Sequence, residues 1–143
     1  MEGRKSHAPA YEVIFIACGI WLIGLGLYFM FLRPALLPED LRYIGANTLQ
    51  IQAAVPGLVH WLHRVFTVVG GFMLGAGVLI VAAMLNVSHL RKMLAMTCLA
   101  LAGAFTVGTM SMVNFQLDSD FKWPLLIPSL VWLAGLVSFQ RHS

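Results

Sequence analysis

Six polar side chains gather, by sequence position, near the ends of two apolar stretches. His60, His63 and Arg64 open one stretch, and Asn114, Asp118 and Asp120 close another. His60 and His63 are three residues apart and share a helix face. Two imidazoles together with Asp118 or Asp120 would supply three or four metal ligands, although His-x-x-His also arises readily by chance. Arg64 lies by sequence at membrane depth, where an ionisable group is costly and normally partnered. Asn114 and Asp118 stand one helical turn apart. If the two helices pack antiparallel, an Arg64–Asp118 ion pair buttressed by Asn114 is expected. Such a pair either locks one end of a helix bundle or forms the polar side of a ligand pocket. Cys18 and Cys98 make no Cys-x-x-Cys, which argues against thiol–disulfide exchange. Both read as small apolar core residues. No cofactor is implied. Haem ligation needs histidines facing each other at one depth, whereas His60 and His63 fall at one membrane edge and His7 and His89 at the other.

The elements that must position these groups follow from composition. The chain has 143 residues, of which 59% are hydrophobic and 10% charged, against about 25% charged in a typical soluble domain. That balance excludes a soluble enzyme and a disordered tail. The nine Lys and Arg are scattered and form no patch, so the net charge of +3 does not imply a nucleic-acid partner. Uncharged runs occupy 13–32, 65–87, 93–117 and 123–140. Each can cross a hydrocarbon core of about 30 Å as a helix, the form that satisfies its own backbone in lipid. The expectation is an all-α polytopic membrane protein. Residues 1–143 form one four-helix transmembrane domain, with spans at about 11–33, 60–87, 93–117 and 123–140.

Arg4, Lys5, Arg91, Lys92 and Arg141 fall on one side of this bundle, and Arg33, Arg42, Arg64 and Lys122 on the other. The bias places both termini in the cytoplasm. Residues 88–92 read as a tight hairpin that makes the second and third spans neighbours. The long first extracytoplasmic loop carries Pro38 and then Glu39-Asp40, a helix-start signal, and predicts a short interfacial helix over 39–54. A two-strand cap is the alternative. Gly71-x-x-x-Gly75, and the small residues Ala100, Ala104 and Gly108, predict close helix contacts. Gly71→Leu and Gly75→Leu are expected to be damaging.

The segment from Arg64 through Gly70-Gly71 to Gly75 and Gly77, a charged helix start before a glycine-rich span, resembles the DoxX-like group of small bacterial four-helix membrane proteins. The resemblance covers roughly residues 11–140 as architecture. It implies a bacterial inner membrane location and a redox-complex context, and it carries no catalytic residue across. Two functions compete. One is a non-catalytic accessory or assembly subunit of a larger membrane complex, whose partners are lipid and other membrane subunits. The other is a binder or enzyme acting on a lipophilic small molecule, a quinone or lipid, at a polar site near the outer leaflet. A channel ranks third, since no span shows a polar stripe.

Overall fold

The computed structural model describes residues 9–86 and 92–142. Among these residues every regular element is helical. The helices are α1 (Ala10–Phe31), α2 (Pro38–Ile44), α3 (Thr48–Ala54), α4 (Leu58–Leu85), α5 (Lys92–Gly103), α6 (Thr109–Gln116) and α7 (Lys122–His142). A π-helical segment, Ala104–Gly108, joins α5 to α6, so that Lys92–Gln116 runs as one long helix. Four helices are thus long and apolar enough to cross a membrane, the mark of an integral membrane protein. The 88–91 part of the expected hairpin lies outside the described residues, as do Arg4, Lys5, His7 and His89.

The expected 39–54 helix is two helices, and the reason is local. Pro38 sits in the first turn of α2, and the Asp40 carboxylate accepts the Leu37 N–H at 2.9 Å. Gly45 then adopts φ +72°, a left-handed cap that ends α2. Asn47 restarts the helix. Its Oδ1 accepts the Gln50 N–H at 2.8 Å, and Gln50 Oε1 accepts the Asn47 N–H at 2.9 Å. This reciprocal capping box fixes where α3 begins.

Glycines set the contact between α1 and α4, though not those that the four-residue spacing singled out. Gly19 faces Gly77 and Gly26 faces Gly70, so the contacts recur every seven residues on both helices. A Cβ on Gly77 would stand 2.5 Å from the Gly19 carbonyl oxygen, and one on Gly70 would stand 2.6 Å from that of Gly26. Gly71 and Gly75, by contrast, have nothing within 4 Å of a Cβ and lie on an outward groove. The expectation that they carry the packing is therefore corrected.

α7 packs on α1 as well, and also against α5 and α6. The second and third spans, expected to be close neighbours, instead take different principal partners: α4 packs on α1, and α5 and α6 pack on α7. Trp132 of α7 is buried and lies over Gly103, where a Cβ would come within 2.1 Å of the indole nitrogen. That nitrogen donates to the Leu99 carbonyl at 3.0 Å, and the ring meets Phe15 edge-on at 5.0 Å. Cys18 joins this core, whereas Cys98 is exposed and does not. Around the π segment, Ser129 donates to the Val107 carbonyl at 2.8 Å and shares a 2.7 Å hydrogen bond with Ser111. Hydroxyls from α6 and α7 thus satisfy carbonyls near the irregular turn.

Candidate functional site

The end of the bundle that carries α2 and α3 holds nearly all the polar chemistry. Arg33 ends the first long helix there. Its side chain is 10% exposed, and its guanidinium lies 3.7 Å from the centre of the Phe66 ring and 5.2 Å from that of Phe29. Nη1 donates to the Pro34 carbonyl at 2.9 Å, and Nη2 approaches the Asp40 carboxylate at 3.4 Å. Two aromatic faces and one carboxylate offset the loss of water around this cation. Asp40 also caps α2, so a single side chain ties the start of that helix to the end of α1.

Beside Arg33 a cavity of about 520 Å³ opens where α4 and α6 stand apart. Leu25, Phe29, Phe66, Met110, Val113 and Leu125 form its apolar wall. Arg33, Glu39, Asp40, Asn114 and Ser119 line it toward the α2 end, interleaved with Leu37, Leu117 and Phe121. Glu39 is 5% exposed and Ser119 is 1% exposed. The Ser119 hydroxyl donates to Glu39 Oε1 at 3.4 Å. Leu25 precedes Arg33 by eight residues, so the wall reaches roughly 12 Å deeper than the polar end at about 1.5 Å per residue. The cavity is therefore amphipathic along its length.

The six residues that the sequence brings together divide into three places. His60, His63 and Arg64 are exposed and line one open groove, with Arg33 and Thr67. Asn114 lines the cavity and donates to the Met110 carbonyl at 2.9 Å. Asp118 and Asp120 lie on the exposed turn before α7. The expected Arg64–Asp118 pair is not formed. Asp118 pairs with Lys122, and Asp120 pairs with Arg42 at 2.9 Å. The cause is a helix end. α6 stops at Gln116, Asp118 takes the left-handed φ of 47°, and the Ser119 N–H closes back on the Asn114 carbonyl at 3.0 Å. Asp118 is thereby turned away from the face that Asn114 occupies.

The exposed pairs leave an electrostatic signature. The hydrogen bond from Lys122, and then its charge, hold the Asp118 carboxyl below the usual carboxylate range. The hydrogen bond to Asp120, and then its charge, raise Arg42 further. Among the described residues, no three His, Cys, Asp or Glu side chains are placed to share a metal ion, so the set of His60, His63, Asp118 and Asp120 is not assembled.

Sequence reasoning missed Glu39 and Ser119 as site residues and undervalued Arg33. A signal existed: Arg33 terminates an uncharged run, and Pro38 places Glu39-Asp40 in a first helical turn that folds back toward it. Comparisons of the chain with protein-family models, curated proteins and solved structures find no match.

Proposed function

We propose that this protein binds a lipophilic small molecule, of the quinone or lipid type, in the cavity between α1, α4, α6 and α7. One observation carries the reading. A space of about 520 Å³ has an apolar depth and a polar rim built from five side chains. Its volume falls within the range of about 300–1,000 Å³ usual for small-molecule sites. An amphiphile would enter with its tail toward Leu25 and Met110 and its head at Arg33, Glu39 and Asn114. The proposed setting is a bacterial inner membrane with both termini cytoplasmic, so that this rim lies at the outer leaflet. The likeness to the DoxX-like group supports that setting and a redox context.

Native mass spectrometry of the detergent-solubilised protein, with decylubiquinone or dodecanol added, tests the reading. The wild type should carry a bound molecule. Met110→Trp, which fills the apolar wall, should carry none while melting normally. Equal loading of both proteins would place the ligand elsewhere.

A second reading is an accessory subunit of a larger membrane complex. It rests on the outward groove of α4, where Gly71 and Gly75 lie open beside Val68, Phe72 and Leu79. Purification in mild detergent decides it: a copurifying membrane subunit that Gly75→Leu releases supports the reading, and a protein recovered alone counts against it.

A further inference from the structure

The charges at the cavity end balance in number, four Lys and Arg against four Asp and Glu, but they are not all paired. Three ion pairs stand at this end among the described residues: Arg33–Asp40, Arg42–Asp120 and Lys122–Asp118. Arg33, Arg42 and Lys122 are each used in one of them, and Arg64 is exposed on the neighbouring groove. Glu39 is in none. Its side-chain partner is the neutral Ser119 hydroxyl, at a long 3.4 Å. Its side chain nevertheless lines the cavity and is nine-tenths buried, as part of a residue 5% exposed. Its place in the first turn of α2 eases this burial without supplying a contact cation. A carboxylate removed from water without a paired charge is costly, and a ligand that supplies the missing donor gains what the protein leaves unspent.

We infer that the cavity selects amphiphiles whose head is a protonated amine, which donates to the Glu39 carboxylate while the alkyl chain lies along Leu25, Phe66 and Met110. Arg33 does not oppose this head. Its charge is taken up by Asp40 and the Pro34 carbonyl, and its planar face is covered by Phe66. Formally, Arg33, Asp40 and Glu39 sum to one negative charge, which the ammonium completes. This inference rests on the cavity being a binding site, and it adds the chemical class of the head.

Dodecylamine and dodecanol have the same chain and differ in the head, so binding of both to the purified protein in one detergent, at neutral pH, separates the two ideas. Wild type should bind the amine about ten- to hundredfold more tightly than the alcohol, the range that a charge-assisted hydrogen bond supplies. Glu39→Gln should bind the alcohol as before and lose that preference. Glu39→Asp should keep part of it. Met110→Trp should lose both ligands. Equal affinity for amine and alcohol in the wild type overturns the inference, whatever the variants do, and leaves the binding site standing. So does a preference that survives Glu39→Gln. Absence of binding by either amphiphile overturns the site itself, and with it the choice of head.

Discussion

What surrounds each guanidinium decides its weight at the α2–α3 end. Arg64, placed by sequence inside an apolar run, is exposed on a groove with His60 and His63. A long flexible stem lets such a side chain reach the membrane edge from a helix that is itself in lipid. Arg33, at the end of its helix, is enclosed by Phe29, Phe66 and Asp40. Arg33→Ala should therefore cost about 2–4 kcal/mol, the combined scale of a charge-assisted hydrogen bond and a cation–π contact. Arg64→Ala should stay within about 0.5 kcal/mol, as for most exposed positions. Thermal melting of both variants in one detergent is the measurement. The reverse order would show that the groove, rather than the cavity rim, holds this end together. The sequence alone could not rank them, because depth along a helix says nothing about which aromatic rings close over a side chain.

At the scale of elements, the seven-residue recurrence of glycine contacts is the organising feature of α1 and α4. Two residues seven apart are nearly two full turns apart, so they return to the same face. Gly19 with Gly26, and Gly70 with Gly77, meet this condition and bring two backbones into contact. Gly71→Leu and Gly75→Leu should leave melting nearly unchanged. Gly70→Leu and Gly77→Leu should lower stability by about 1–3 kcal/mol or abolish folded yield, since the new side chain meets a carbonyl and not a movable neighbour. Uniform damage from all four would require the α4 groove to be filled. The number of long apolar helices, their limits to within a few residues and the polar loop were legible because they depend on local composition. Which face of each helix turns inward was not. α1, for example, is apolar all round, so its sequence gives no direction. The split of 39–54 at Gly45 was legible in principle, from a glycine two residues ahead of an Asn cap. The exposure of Asp118 was not, because it depends on the left-handed φ that Asp118 adopts just past the end of α6.

For the whole molecule, the pairing of distant loops makes the topology testable without a label at either terminus alone. Arg42 of α2 meets Asp120 of the turn before α7 at 2.9 Å, and Ser119 of that turn meets Glu39. The long first loop and this short turn therefore lie at one end of four helices, as alternating spans require. Gln52 and Asp120 are both exposed there. In a background of Cys98→Ser, with the buried Cys18 left in place, Gln52→Cys and Asp120→Cys should react from the same side with a membrane-impermeant maleimide. Five Lys and Arg against four favour that side being outside, with Arg4-Lys5 before the first span adding weight by position. Both cysteines should then be labelled in intact cells, and Ser6→Cys should be labelled after permeabilisation alone. The inverse pattern would turn the molecule over and move the cavity rim to the inner leaflet, leaving its chemistry intact. Labelling of Gln52→Cys and Asp120→Cys from opposite sides would break the four-span topology itself. The Glu39–Ser119 contact, and the cavity built on it, would then fall with that topology, since neither can form across a membrane.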